Sequence, residues 1–323
     1  MPKAYLVYNP AAGRFPSRML IERAADVLRM QGWEMRLEQT QGGSHITELA
    51  RRAADQSMDG FFIAGGDGSI NYAVAGLVNS ETPLAVLPSG TANVWCRELG
   101  LPGLTWTRLM ALEESARQLS NVTIKKVDVG FCNKYPFLLW AGLGLDAFIV
   151  HRIEPRSRWE KHFAMAHYAA IAMQQASDWS GINLNVFADG KEITGHYILG
   201  VVSNIHLYAG GLAEISPYAR LDDGVMDLWL FAGETLIQTL SHAWNLWSGR
   251  HIHSDQVQCV PFRELYLTSD STMHVQVDGE PLDGDREVRV EVRRNALPVF
   301  VPETAPRILF SDRPNEESIR DLT

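Results

Sequence analysis

The chain has 323 residues, enough for two domains of ordinary size. Hydrophobic residues make up 46% and charged residues 21%, a globular composition that argues against a disordered protein. The formal net charge is −9 and the sequence has no long basic tract, so we do not expect a nucleic-acid partner.

The first 125 residues or so alternate between strand-like and helix-like segments. The predicted order is strand 4–8, helix 17–32, strand 33–40, helix 44–57, strand 61–64, helix 69–78, strand 84–87, a helix through 99 and a helix over 105–119. Alternation of this kind is typical of a parallel sheet covered by helices on both faces. We therefore predict an N-terminal, Rossmann-like α/β nucleotide-binding domain over residues 1–125.

Strand-like segments dominate the chain after about residue 125. Strands are predicted at 127–131, 137–141, 184–187, 197–202, 226–231, 265–268, 274–277 and 288–292, and helices near 158–175 and 234–247. Asp189-Gly190 is expected to form a hairpin turn. These patterns predict a mainly antiparallel, β-sandwich-like second domain over 126–297, with the tail at about 298–310 rejoining the first domain.

The cysteines and the apolar segments bear on the compartment. Cys96, Cys132 and Cys259 lie far apart, which predicts neither a disulfide framework nor a zinc site and fits a reducing cytoplasm. The first residues lack the features of a signal peptide, and the longest uncharged apolar run, 137–145, is too short to span a bilayer. We expect a cytoplasmic protein without a transmembrane segment.

A glycine-rich segment follows the third predicted strand and leads into a helix. Gly65, Gly66 and Gly68 let the backbone approach a ligand closely, and a helix N-terminus offers N–H groups that suit phosphate. Asp67 is a poor direct neighbour for phosphate, but its carboxylate could hold Mg²⁺ beside the phosphates. The alternative is an ordinary Asp-Gly turn between a strand and a helix.

Two further loops of small residues, at 9–13 and 88–93, follow the first and fourth predicted strands. Loops at the carboxyl ends of parallel strands line one crevice, so all three segments should meet there. Turn chemistry alone explains such a convergence less well than a ligand site does.

Asp278 and Glu280 are the acids with the right type and spacing for a proton acceptor. On an extended strand they would share a face, and Gly279 would permit a tight bend. A carboxylate general base contributes about 10²–10⁴ in rate. The alternative is a hairpin turn followed by a surface acid.

The ordered motifs resemble the diacylglycerol kinase catalytic family, in its bacterial soluble lipid kinase branch, with sphingosine and ceramide kinases more distant. The resemblance covers roughly residues 3–301. Its motifs are Asn-Pro-x-x-Gly at 9–13, Gly-Gly-Asp-Gly-Ser at 65–69, Leu-Pro-Ser-Gly-Thr-Ala-Asn-x-x-x-Arg-x-Leu-Gly-Leu at 87–101, and the segments 127–130, 142–147, 220–224 and 277–280.

The resemblance implies a cleft between a nucleotide-binding domain and a β-sandwich-like domain. It implies that Glu280, with Asp278 beside it, activates the acceptor hydroxyl. It also implies a structural Mg²⁺ held by the Asp223 carboxylate and the backbone carbonyls of Arg220 and Val225. The residues expected at ATP are Asn9, Pro10, Gly13, Thr40, Gly65, Gly66, Asp67, Gly68, Ser69, Tyr72, Gly90, Thr91 and Asn93.

Tyr72 departs from the family pattern. Many bacterial members of the family carry Glu at this position, although some eukaryotic members carry an aromatic residue. The nucleotide contact expected of Tyr72 is therefore open.

Two other patterns are set aside. The segment 142–147 fits Gly-x-Gly-x-x-Ala, but it lies in mid-chain and lacks the acidic residue that a dinucleotide site needs about 20 residues later. His251 and His253 are metal-ligand types without a partner cluster nearby in the sequence.

Nine tryptophans are many for this length. The aromatic and apolar residues near two predicted helices are Trp159, Phe163, Met165 and Tyr168, and Trp244, Leu246 and Trp247. Core packing is the favoured interpretation, and an acyl-chain groove or an interfacial anchor is the alternative.

The sequence predicts an ATP- and Mg²⁺-dependent kinase that phosphorylates a lipid hydroxyl, such as that of diacylglycerol, during transient visits to the membrane surface. One alternative is a kinase of the same nucleotide fold with a non-lipid acceptor, such as NAD or a sugar phosphate. Another is a catalytically weak protein that binds lipid or nucleotide. The lipid, its acyl chains and the oligomeric state, a homodimer included, are open.

Overall fold

A computed structural model describes residues 1–9, 18–105, 107–108, 110–120, 122–153 and 179–311. Among the predicted features, the contacts of Pro10 and Gly13 and the helix near 158–175 lie outside the described residues. That helix carries Trp159, Phe163, Met165 and Tyr168.

Four parallel strands form the sheet of the first half, in the order β2-β1-β3-β4. Every residue of the third strand is buried, because helices cover both faces of such a sheet and its strands become continuous apolar runs. The strands are β1 (Lys3–Tyr8), β2 (Glu34–Gln39), β3 (Gly60–Gly65) and β4 (Leu84–Pro88).

Five helices accompany this sheet: α1 (Arg18–Met30), α2 (Gly43–Asp55), α3 (Asp67–Leu77), α4 (Val94–Glu98) and α5 (Ala111–Gln118). The helix predicted over 105–119 is wrong in its first part, since α5 begins only at Ala111. Thr105 and Arg108 form an isolated β-bridge, and the Thr105 and Thr107 hydroxyls share a hydrogen bond.

The second half is mainly antiparallel strand. Its strands are β5 (Val122–Cys132), β6 (Tyr135–Phe137), β7 (Trp140–Gly144), β8 (Ile182–Ala188), β9 (Lys191–Ser203), β10 (Leu207–Tyr208), β11 (Ala213–Glu214), β12 (Met226–Ala232), β13 (Val257–Phe262), β14 (Glu264–Val277) and β15 (Glu280–Pro302). Its helices are α6 (Leu145–Ile153) and α7 (Leu236–Trp247). The sequence patterns missed α6, β10, β11 and β13, merged β6 with β7 and divided β14 into two strands.

The long strands β9 and β14 each pair with several neighbours along their length. The start of β14 pairs with β8, whereas its last three residues pair with β7. In the same way β9 pairs first with β8 and then with β7 and β12. The predicted Asp189-Gly190 turn is confirmed: both residues have positive φ, 47° and 83°, as a two-residue hairpin of type I′ requires.

A long ribbon joins the two halves. β15 pairs with β5 along most of its second part, and Val299 also pairs in parallel with Leu84 of β4. The predicted domain limits, near 125 and 297, therefore fall inside strands that belong to both halves, and they stay a prediction. Of the helices that the structure describes, none is long and apolar enough to cross a bilayer.

Candidate active site

The glycine loops after β3 and β4 touch through their backbones. Gly66 precedes α3, and a Cβ placed on Gly90 would clash with the Cα of Gly66. The approach therefore requires glycine at position 90, whereas a Cβ on Gly66 would make a tight contact of 3.2 Å with the Cα of Gly90. The carboxyl ends of two neighbouring strands thus present backbone beside the N-terminus of an eleven-residue helix, which is a suitable surface for phosphate.

Asp67 holds the second loop against the first. Its Oδ1 accepts a hydrogen bond from the Trp95 backbone N–H at 3.2 Å, at the start of α4. Burial raises the pKa of the Asp67 carboxyl, while backbone N–H groups of residues 93–95 act in the opposite direction. The carboxylate is therefore already engaged in local structure, and its role at a nucleotide-bound Mg²⁺ stays a prediction.

Asn93 and Thr40 are also used inside their own loops. Asn93 has left-handed backbone geometry, and its side chain accepts from the Gly90 N–H and donates to the Gly90 carbonyl. The Thr40 hydroxyl donates to the Gly42 carbonyl and accepts from the Gly42 N–H. Thr91, by contrast, is exposed beside the glycine contact.

Tyr72 and Ser69 pack onto glycines. The Tyr72 ring covers Gly43 at the start of α2, where any larger residue would clash with it. The Ser69 side chain folds back over Gly65. Asn9 is half-buried at the end of β1. The contacts of these three residues with a nucleotide, which the resemblance implied, stay predictions.

The predicted acids sit on a two-residue hairpin turn. β14 ends at Val277 and β15 begins at Glu280, and these two residues pair. Asp278 and Gly279 form the turn with φ of 48° and 86°. The extended-strand geometry is therefore wrong and the chain makes the hairpin turn of the alternative, because positive φ at both turn residues reverses the chain direction. The acid that follows the turn, Glu280, is half-buried and is not a surface acid.

The Asp278 carboxylate lies under this turn and accepts four hydrogen bonds. Its Oδ2 accepts from Asn71 Nδ2 and the Leu138 N–H, both at 2.9 Å. Its Oδ1 accepts from the N–H groups of Leu139 and Trp140, at 2.9 and 3.0 Å. Burial raises the pKa of Asp278 to about 6 in spite of these four donors. This geometry favours a positioning residue that ties α3 to the second half, because a proton acceptor needs a free lone pair.

Glu280 reaches the other way, towards the glycine loops. A Cβ placed on Gly68 would lie 3.3 Å from Glu280 Oε1, so the carboxylate contacts the first turn of α3. Glu280 is half-buried. The fold thus brings an acid from the second half to the helix end where phosphate is expected, across more than 200 positions of sequence.

Gln276 and Asp146 support the hairpin turn from below. Gln276 is fully buried; its Oε1 accepts from the Gly279 N–H at 2.8 Å and its Nε2 donates to Asp146 Oδ2 at 2.7 Å. Burial raises the pKa of Asp146, and a hydrogen bond from Tyr208 opposes this rise. The segment 142–147, which had the spacing of a dinucleotide motif, therefore braces the hairpin.

A second set of contacts across the cleft comes from α4. Arg97 donates to the carbonyls of Gly210 and Gly211, at 3.0 and 2.8 Å. Buried Glu98 accepts from the N–H of His206 and bonds its ring Nδ1 at 2.7 Å. Sequence analysis assigned no role to these residues or to Asn71, since each is defined by a partner more than 60 positions away.

The predicted structural Mg²⁺ ligands lie in a buried acidic loop. Asp223 Oδ1 accepts from the Val225 N–H at 3.1 Å, while Arg220 and Val225 flank the same loop. Burial, and then the charges of Asp223 and Asp222, raise the pKa of Asp128 to about 7. Carboxylate and carbonyl oxygens are what Mg²⁺ prefers, and excess negative charge favours a cation, so these residues fit the ion.

The tryptophans of α7 are not in the core. Trp244 is 59% exposed and Trp247 64%, whereas Leu246 packs against the apolar cluster of β9, β12 and Tyr208. Core packing is therefore wrong for the two tryptophans, and the interfacial alternative stays open. His251, in the following loop, is buried and its Nε2 bonds the Ile215 carbonyl.

Comparison with known families accounts for both halves of the chain. The model of the diacylglycerol kinase catalytic domain matches residues 3–132. The model described as the YegS C-terminal NAD kinase β-sandwich-like domain matches residues 141–301.

Relatives match over nearly the whole chain. The diacylglycerol kinase of Bacillus subtilis is 25% identical over 282 residues, which cover 87% of this chain and 90% of the relative. The diacylglycerol kinase of Mycobacterium tuberculosis is 24% identical over 318 residues, with 94% and 96% covered. A crystal structure of a diacylglycerol kinase from Bacillus anthracis superposes with a TM-score of 0.70 at 18% identity, over 94% of this chain and 98% of that chain.

Proposed function

Because the chain belongs to the diacylglycerol kinase catalytic family, we propose that it is an ATP- and Mg²⁺-dependent lipid kinase. The acceptor is a lipid hydroxyl, and diacylglycerol, named in several relatives, is the first candidate. The observation that carries the proposal is the contact between Glu280 and the first turn of α3.

The proposed chemistry follows from the two sides of this contact. Backbone N–H groups at the start of α3 and the helix dipole hold the phosphates of ATP beside Gly66 and Gly68. Glu280 accepts the proton of the lipid hydroxyl as its oxygen forms a bond to the γ-phosphorus. The bond from that phosphorus to the bridging oxygen breaks, and ADP leaves with the electron pair. The products are the lipid phosphate and ADP, with the proton on Glu280.

Metal ions would act at two places. Mg²⁺ bound with ATP, near Asp67, would spread the charge of the transferring phosphate. A structural Mg²⁺ at Asp223 and the carbonyls of Arg220 and Val225 would offset the charges of the acidic loop. Asp128 connects this loop to the hairpin. Asn204 donates to the carbonyls of both Asp128 and Leu138, and Leu138 is one of the residues whose N–H groups bond Asp278.

The test is incubation of the purified protein with γ-labelled ATP, Mg²⁺ and a total lipid extract, with NAD and sugar phosphates in parallel. The proposal expects label in the organic phase, at the position of phosphatidic acid if diacylglycerol is the acceptor. Label only in NAD or in a sugar phosphate would replace it with the alternative acceptor. No transfer at all would favour a binding protein, for which Tyr72 in place of the common Glu is the supporting observation.

A further inference from the structure

Helix α7 exposes an apolar stripe along its whole length. Ile237 is 80% exposed, Leu240 49%, Trp244 59% and Trp247 64%. Their spacing of three, four and three residues places them on one face of a helix. The helix carries no Asp, Glu, Lys or Arg in its twelve residues. Large apolar side chains exposed together in this way are typical of a surface that binds a membrane or another protein.

The rest of the helix holds this stripe in place. A capping box between Thr235 and Gln238 fixes the first turn. On the inner face His242 is buried, with its Nε2 bonded to the Ala232 carbonyl, and Leu246 packs into the cluster beneath. The exposed residues therefore project from a rigid support.

We propose that the exposed face of α7 is the surface by which this protein docks onto a lipid bilayer. Tryptophan is favoured at the membrane–water interface, since its ring is apolar and its N–H can bond to headgroups or water. Trp244 and Trp247 pack against each other, with ring centroids 5.2 Å apart, and so form one wedge. Leu212, 53% exposed, directly precedes β11, which packs against α7.

A second copy of the chain fits this face less well than a bilayer does. Twelve helical residues span about 18 Å, so a stripe one side chain wide covers roughly 200 Å². A stable dimer buries about 800 Å² on each partner. Shallow insertion of a few side chains between headgroups needs no such area.

The location of α7 connects docking to the cleft. Leu246 shares its apolar cluster with Trp140 and Tyr208. Trp140 donates its N–H to Asp278, and Tyr208 bonds Asp146, which braces the catalytic hairpin through Gln276. One packed layer therefore separates the docking face from the groups that position Glu280. This inference rests on the proposed function in one respect: docking would bring the active site to a lipid substrate that stays in the membrane.

The test compares the double variant Trp244→Ala/Trp247→Ala with a matched control, Phe187→Ala/Tyr266→Ala. The control pair is also aromatic, in ring contact and 37% exposed at each residue, but it lies on β8 and β14. Ile237→Glu is a second variant that adds a charge to the stripe without removing a ring. Each protein is sedimented with phosphatidylcholine vesicles that contain diacylglycerol, and assayed on those vesicles and on a dispersed short-chain diacylglycerol.

We expect the two stripe variants to bind vesicles at least about tenfold more weakly than the wild type and the control, with little effect of salt. Turnover on vesicles should fall in parallel, while turnover on the dispersed lipid stays unchanged. Vesicle binding by the stripe variants equal to that of the wild type, or no binding by the wild type, would overturn the proposal. A wild-type dimer that becomes monomeric in the stripe variants would also overturn it. Tryptophan-dependent binding without phosphorylation of any lipid would retain the docking surface and refute the kinase function.

Discussion

The glycine loops and the β14–β15 hairpin face each other where the two halves meet. They differ in the groups that they present to this space. Asp67, Asn93 and Thr40 bond to backbone groups of the loops, so the surface left for a ligand is backbone. In the hairpin, Asp278 likewise accepts hydrogen bonds from backbone N–H groups, but Glu280 contacts the first turn of α3 on the other side.

The comparison shows that residue type alone does not identify the chemical group of a site. The sequence predicts roles in the site for four acids or amides, Asp67, Asn93, Asp278 and Glu280. Three of them have their lone pairs or N–H groups engaged in local structure, and this leaves Glu280 as the side chain that meets the phosphate surface. Four predictions test this division of roles, in order of decreasing effect.

Substitution Glu280→Gln should have the largest effect on turnover. Gln keeps the shape of the side chain but cannot accept a proton, so phosphorylation should fall by about 10²–10⁴. ATP affinity and melting temperature should stay unchanged, because the loops of β3 and β4 do not depend on the charge of Glu280. The exposed Glu287 on the same strand provides the control, Glu287→Gln. Near-wild-type turnover in Glu280→Gln would remove the proposed base.

Substitution Asp278→Asn should destabilise the fold as well as reduce turnover. An amide offers one acceptor atom where four N–H donors converge, and each buried donor left unpaired costs about 1–3 kcal/mol. We expect a loss of about 3 kcal/mol in the free energy of unfolding, measured by urea denaturation.

The exposed residue Asp283 gives the matched control, since Asp283→Asn should change stability by no more than about 0.5 kcal/mol. If Asp278→Asn kept wild-type stability and still lost its turnover, Asp278 would take part in the chemistry beside Glu280.

Substitution Gly90→Ala should affect nucleotide binding more than chemistry. The new methyl group would meet the Cα of Gly66, and the two loops would have to separate, at a cost of about 1–3 kcal/mol. ATP affinity, measured by calorimetry, should weaken. Gly103→Ala is the control, because its methyl group would make an ordinary contact 3.7 Å from Asn93 Nδ2. Equal ATP affinity in the two variants would show that the close approach of the loops does not shape the phosphate site.

Magnesium should stabilise the protein through the acidic loop, with the smallest of the four effects. Mg²⁺ at about ten times the Kd of the site contributes about 1.4 kcal/mol, so the melting temperature should rise with Mg²⁺ in the absence of ATP. Asp223→Asn should lose most of this rise, while Asp255→Asn, at an exposed position, should keep it. An equal rise in both variants would place the ion elsewhere.

Local patterns were sufficient for much of the fold. Apolar runs with glycine turns at their ends located β1 to β4 and α1 to α3 to within about two residues, because both signals lie in adjacent residues. They failed at Thr105 and Arg108, which form an isolated β-bridge where a helix was expected, and at α6, where no helix was expected. The ordered set of motifs was also sufficient to identify the family, since each motif is short and contiguous.

The sequence by itself determined the order of β1 to β4 and α1 to α3, the family and the candidate acids. Tertiary structure alone decided which acid lies against the first turn of α3 and which tryptophans meet solvent. Asp278 receives its donors from residues about 140 and 207 positions away, and burial of Trp244 and Trp247 depends on what the fold packs against α7. The role of a carboxylate depends on its hydrogen-bond partners and on its burial. Both are set by contacts between segments that are remote in the chain.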